Sequence, residues 1–112
     1  MKKKIAYLLL LLMLIPVGSF AKEKKNRLME KAVSPFSVDE TMRRIEEIIK
    51  SQGGSVFALL DHGRNASEVG MELPPNKVIV FGSPKVGTLL MRQDPSISLE
   101  LPLRISVWED AD

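Results

Sequence analysis

The segment Gly82-Ser83-Pro84-Lys85-Val86-Gly87-Thr88 has the residue types and spacing best suited to binding a ligand. Two glycines five positions apart, followed by a hydroxyl residue, are similar to a phosphate-binding loop, but the lysine that should follow the second glycine is missing. If Pro84 begins a helix, the backbone amides there and the Lys85 ammonium could still hold a carboxylate or phosphate. Alternatively, Ser83-Pro84 only caps the helix and Gly87 is a packing position. The candidate binding residues of this loop are Gly82, Ser83, Lys85, Gly87 and Thr88.

His62 is the single histidine of the chain and the sixth candidate binding residue. Its ordinary pKa lies near neutrality, so it could act as a general acid or base with Asp61 or Glu109 nearby. Adjacent residues of a strand point to opposite faces, which excludes a direct dyad of Asp61 and His62. The alternative is a histidine that only hydrogen-bonds the backbone of the following turn. Spacing marks no activated nucleophile, so catalytic residues stay unassigned.

Composition argues against metal and cofactor chemistry. The chain has 112 residues, no cysteine and one histidine, whereas zinc and iron–sulfur sites need three or four thiolate or imidazole ligands. The methionines are scattered, and Met42 and Met91 suit core positions better than copper ligation. We therefore expect no metal and no cofactor.

The first 21 residues have the layout of a secretory signal peptide. Three lysines precede the apolar run Ile5 to Ile15, and Pro16 and Gly18 interrupt that run before a cleavage position after Ala21. We predict export to the periplasm or beyond, with membrane contact only transient through this segment; retention as an anchor is the alternative. Without those lysines the formal charge falls from +2 to −1, which gives nucleic-acid binding no electrostatic support.

Periodicity predicts the elements that must position these residues. Ser37-Val38-Asp39-Glu40 has the form of a capping box. Apolar residues then recur at helical spacing at Val38, Met42, Ile45 and Ile49, so a helix begins after Ser37 and ends at Gly53-Gly54. Before it, residues 22–36 hold a charged leader and a first strand near Leu28 to Val33, which could equally start as a helix.

Three later stretches indicate strands. Residues 55–60 and 77–82 are apolar on both faces, which is typical of central strands, and Leu103 to Trp108 alternates. Asn65 is predicted to cap a short helix, Pro84 to begin the second main helix, and Asp94-Pro95 to begin one further turn. This order predicts one α+β domain over residues 37–112, with helices covering one side of a sheet.

Several short motifs, in a fixed order between Ser37 and Asp110, resemble the domain of unknown function 302 family. They are Glu40-Thr41, Asp61-His62, Glu68-Val69-Gly70, Leu73-Pro74-Pro75, residues 81–88 with Leu90-Met91, residues 99–103 and Glu109. The resemblance implies an antiparallel sheet with two main helices packed on one face, similar in topology to half of a TATA-binding protein. It implies no activity and no catalytic residue.

The resemblance also implies that the chain is shortened at its C-terminus, because family members look longer there and continue through a glycine into a further strand. The strand Leu103 to Trp108 would then have an unpaired edge, through which two copies could form a homodimer. We expect an exported, non-catalytic module of the cell envelope that binds a small or anionic ligand. The alternatives are a small enzyme that uses His62, and a truncated remnant or interaction module that pairs through its last strand.

Overall fold

The computed structural model describes residues 4–9 and 29–110 and has the predicted α+β architecture. One antiparallel sheet has the strand order β2-β1-β5-β4-β3. The strands are β1 (Lys4–Leu9), β2 (Met29–Ser34), β3 (Ser55–Asp61), β4 (Asn76–Gly82) and β5 (Leu103–Glu109). The helices are α1 (Val38–Ser51), α2 (His62–Glu68), α3 (Pro84–Gln93) and a 3₁₀ helix (Pro95–Leu99).

Helix α1 supplies much of the core. Ser37 caps it, since its hydroxyl accepts a hydrogen bond from the Glu40 N–H at 3.1 Å. The Glu40 carboxylate turns to Arg43 at 2.9 Å instead of the cap, so half of the predicted capping box forms. The buried face of α1 packs on β3, β4 and β5, and the core contains Val38, Met42, Ile49, Ile79 and Val107.

The shorter helices begin with side-chain caps. Helix α3 begins at Pro84 as predicted, and it packs mainly against the 3₁₀ helix. The predicted cap at Asp94 is confirmed, since its carboxylate accepts from the Ser96 N–H at 3.0 Å. Helix α2 differs from the prediction because Asp61, not Asn65, caps it by accepting from the Arg64 N–H at 2.9 Å. It therefore starts earlier in the chain.

Strand β3 lies at the edge of the sheet, and the prediction of a central position for it is wrong. Its side chains Phe57, Leu59 and Leu60 are 51%, 56% and 42% exposed. A stretch that is apolar on both faces indicates burial of both faces, but it does not reveal whether both edges are paired. The central strand that the pattern does identify correctly is β4, where Ile79 is fully buried.

Strand β5 lies between β1 and β4, so the predicted unpaired edge at Leu103 to Trp108 is also wrong. Strand β1 pairs with β5 on one side and β2 on the other. Residues 4–9 of the predicted signal peptide thus form a strand of the sheet. The cleavage position after Ala21 and the charged leader lie outside the described residues, and export and processing stay predictions. A homodimer through Leu103 to Trp108 likewise remains untested.

Candidate functional site

The loop Gly82 to Thr88 contains the N-terminal cap of α3. The Ser83 hydroxyl accepts a hydrogen bond from the Val86 N–H at 3.3 Å, and the Ser83 carbonyl accepts from the Gly87 N–H at 2.8 Å. Pro84 has no N–H to offer. The chain itself therefore uses the amide of Val86 that the sequence suggested for an anion, and the geometry favours the capping interpretation.

The two glycines of this loop lie beside apolar side chains, at distances where a β-carbon would make ordinary contacts. A β-carbon at Gly82 would lie 3.4 Å from the Phe57 ring, and one at Gly87 would lie 3.7 Å from both Leu101 and Met91. Lys85 and Thr88 are exposed on α3. Neither side chain has a hydrogen bond or ion pair within the described part of the chain. Ligand binding by these residues stays a prediction.

An apolar groove of about 410 Å³ lies beside this loop. We name it the α3 groove. Its lining has no ionisable side chain and comprises Phe57, Gly82, Ser83, Pro84, Val86, Gly87, Thr88, Leu90, Met91, Leu101, Pro102 and Leu103. The groove runs between α3, the segment after the 3₁₀ helix, and the ends of β3, β4 and β5. Its chemistry suits an apolar partner.

His62 is the first residue of α2 and is exposed. The predicted backbone hydrogen bond of its ring is absent from the described region, and so is an ion pair. Its neighbour Asp61 is committed elsewhere, as the cap of α2 and as a partner of Lys77 at 3.7 Å. Glu109 belongs to β5, where its N–H donates to the Pro75 carbonyl at 3.0 Å. The structure does not assemble an acid–base pair around His62.

A charged cluster that the sequence analysis missed joins α1, β3 and β4. Lys77 Nζ lies 2.7 Å from Asp39 Oδ1 and 3.7 Å from Asp61 Oδ2. The hydrogen bond with Asp39 raises the pKa of Lys77 against partial desolvation, and the charges of Asp39 and Asp61 add to the rise. The available sequence signal is a lysine near the start of an otherwise apolar strand, but its partner cannot be read from spacing.

The exposed face of α1 carries a second set of charges. Glu40 accepts hydrogen bonds from Arg43 at 2.9 Å and from Arg44 at 3.0 Å. The bond from Arg43 is the largest influence that lowers the pKa of Glu40 to about 2, against some desolvation. Arg44 also stacks over the Phe36 ring at 3.8 Å. These contacts connect side chains of the first turns of α1 to one another and to Phe36.

Two absences concern the described residues alone. Residues 4–9 and 29–110 hold no group of three or more His, Cys, Asp or Glu side chains placed to bind a metal ion. Within the same ranges, no helix has the length and apolar character needed to cross a membrane.

Comparison with known proteins gives one family and a set of named relatives. A family model described as "Domain of unknown function DUF302" matches residues 29–112. The chain is 47% identical over 77 residues to "Fluoride-specific ion channel FluC 1" of Brucella suis, a match that covers 69% of this chain and 30% of that protein. It has the same identity over 77 residues to "Fluoride-specific ion channel FluC 2" of Brucella melitensis, with 28% of that protein covered.

These relatives contradict the predicted function. An exported module for a small or anionic ligand does not agree with relatives that are named as ion channels and are far longer than the matched region. The two alternatives are not supported by the structure either. His62 has no catalytic partner among the described residues, and β5 is paired on both sides.

Proposed function

The chain belongs to the DUF302 family, and from this premise we propose that it is an accessory domain of a fluoride-specific ion channel. The observation that carries the proposal is the 47% identity to proteins named as such channels. In this proposal the domain does not form the ion pathway; it binds the channel polypeptide and supports its assembly or activity.

The extent of the match supports an accessory role. The chain spans less than a third of the length of the curated relatives. The described residues contain a core of their own, in which α1 packs on β3, β4 and β5. A region with its own core can be carried by a longer protein as a separate domain. Whole-channel activity is therefore assigned to the complex of this domain with the channel.

The α3 groove is the proposed contact with the channel polypeptide. Its lining has no ionisable residue, so it would bind an apolar segment with no cost of burying an unpaired charge. Channel polypeptides offer such segments, because the parts that cross a bilayer are long and apolar. Met91 is a flexible side chain in this groove, and methionine adapts well to a partner of irregular shape.

Capture from lipid nanodiscs tests the proposal. The Brucella suis relative would be expressed without the region that matches this chain and reconstituted into nanodiscs, and this chain would be added with an affinity tag. We expect the chain to retain the shortened channel. In proteoliposomes, we expect the chain to change fluoride flux through the shortened channel toward that of the intact relative.

Two methionine variants separate the groove from general surface effects. Met91→Gln places an amide in the α3 groove, and burial of that amide without a partner should weaken capture about tenfold. Met71→Gln makes the same change at a side chain that is 65% exposed in the loop before β4, and it should leave capture unchanged. The proposal fails if the chain neither binds the shortened channel nor alters its fluoride flux.

A further inference from the structure

The outer edge of β3 is one of the two edges of the sheet. Among the described residues β3 pairs with β4 alone, so the backbone groups on its other side have no strand partner there. The strand SVFALLD contains no lysine and no proline, which are the residues that commonly block unwanted pairing at an edge. Phe57, Leu59 and Leu60 add exposed apolar surface. An edge of this kind suits an added strand.

The sequence of β3 is compatible with pairing to itself. In antiparallel pairing, residues that lie opposite each other point to the same face of the sheet. A two-fold axis between two copies of one strand must therefore pass between the two copies of a single residue. With the axis at Leu59, the two Leu59 side chains meet, and Ala58 lies opposite Leu60 of the other copy. Asp61 comes next to the bulge at Phe57 of the other copy, where regular pairing ends, so this register brings no like charges together.

The β-bulge of β3 favours the same register. The pairing of β3 with β4 shifts between Val56 and Ala58, whereas Ala58 to Asp61 follow regular register. A bulge bends its strand and tends to end pairing. An axis at Leu59 uses the regular residues Ala58 to Leu60 on both copies, and it places the bulge at the end of the paired region.

We propose that a second copy of this chain binds antiparallel along the outer edge of β3, with a two-fold axis at Leu59. The surface differs from the one that the sequence suggested at Leu103 to Trp108, which β1 covers in this fold. The inference is independent of the channel assignment, because it follows from the edge and register of β3. It can therefore hold whether or not the chain binds a channel.

Charge reversal at the axis gives a test specific to this arrangement. Since residue 59 faces its own copy, Leu59→Lys should lower the dimer association constant about tenfold by placing like charges opposite each other, and Leu59→Glu should do the same. An equimolar mixture of the two variants should restore the dimer. Sedimentation equilibrium of the full chain measures each case. A wild-type chain that stays monomeric, or a mixture that stays as weak as the separate variants, overturns the proposal.

Disulfide formation checks the register. The chain has no native cysteine, and residues directly opposite in antiparallel strands have Cα atoms about 4.5–5.5 Å apart, within the range that a disulfide spans. Leu59→Cys should therefore form a covalent dimer on mild oxidation. Val86→Cys is the matched control, since Val86 is 55% exposed and Leu59 is 56% exposed. Equal rates of cross-linking for the two variants would contradict the axis at Leu59.

Discussion

The two ends of the sheet differ in whether their side chains find partners within the chain. At one end, β3 finishes at Asp61 and β4 begins near Lys77, and Asp39 of α1 completes a charged cluster. At the other end, β4 finishes at Gly82 beside the α3 groove. Within the described residues no buried polar side-chain atom lacks a hydrogen bond, whereas Phe57 and Val86 of the groove are more than half exposed.

This difference separates stability from interaction. Charges that pair within the chain stabilise the fold locally and have little left to offer a partner. Exposed apolar side chains contribute little to folding, because most of their surface stays in contact with water. Burial of that surface by a partner is favourable and can stabilise a complex. We infer that the charged end contributes to the stability of the fold and that the α3 groove at the other end is left free for the proposed channel contact. Four predictions test this division.

The largest expected effect compares the core with the apolar end. Ile79→Ala removes a fully buried side chain, and it should lower the free energy of unfolding by about 2–5 kcal/mol. Leu89→Ala removes a side chain that is 50% exposed on α3, and it should change that free energy by less than about 0.5 kcal/mol. Urea unfolding measures both. A large loss for Leu89→Ala would mean that α3 acts in folding more than in recognition.

The next effect compares two glycines at the apolar end. A β-carbon at Gly54 would lie 2.8 Å from Ile49 Cγ2 and 3.0 Å from the Ile49 carbonyl oxygen. Gly54→Ala should therefore lower the free energy of unfolding by about 1–3 kcal/mol. Gly87→Ala meets only contacts of 3.7 Å, and in a helix it should raise the free energy of unfolding by about 0.5–1 kcal/mol. Thermal unfolding distinguishes these opposite signs, and a stabilised Gly54→Ala would contradict the close packing.

Lys77→Met tests the charged end. Lys77 is about one-third exposed, so solvent screening limits the loss to about 1 kcal/mol at neutral pH. The folded pKa of Lys77 is raised; its contribution is therefore complete below the unfolded pKa of about 10.4 and is lost as pH rises through the folded value. As pH rises through the folded pKa of Lys77, the wild-type protein should lose this contribution to its free energy of unfolding, and the Lys77→Met protein should show no such loss. Parallel curves for the two proteins would show that the cluster stabilises nothing.

The smallest effect concerns the exposed charges of α1. Arg43 lowers the pKa of Glu40 from its ordinary 4.5 to about 2. A carboxylate whose pKa is lowered in the folded state contributes its full stabilisation above its ordinary pKa. That stabilisation is lost as pH falls through the pKa of the folded state. Glu40→Gln should therefore show a shallower loss of stability than wild type between pH 4.5 and 2. Acid titration followed by circular dichroism measures it, and an identical slope would assign Glu40 no role in the acid response.

Local patterns in the sequence predicted the elements well. The cap at Ser37, the buried stripe Val38, Met42 and Ile49, and the start of α3 at Pro84 all depend on residues within a few positions of each other. The pairing of Lys77 with Asp39 depends on how α1 lies on the sheet, and no spacing reveals that. Strand order is equally non-local, which is why β3 and β5 exchanged their expected places.

The candidate site shows the same division between local and distant information. Ser83-Pro84 was correctly identified as a possible cap, and the hydrogen bond at 3.3 Å confirms it. The α3 groove was missed, because Phe57, Met91 and Leu101 come from three separate parts of the chain. The N-terminal strand was missed for another reason, since lysines before a leucine-rich run fit a secretory signal and a strand alike.

Strand β1 has a topological consequence. Among the described strands, β2 pairs with the rest of the sheet through β1 alone, so β1 joins β2 to β5. If a peptidase removes residues 1–21 as the sequence predicts, the same cut removes β1, leaves β2 without its strand partner and turns β5 into an edge strand. The same six residues therefore cannot be both removed with a signal peptide and retained as β1. The intact mass of the protein recovered from cells distinguishes the two cases.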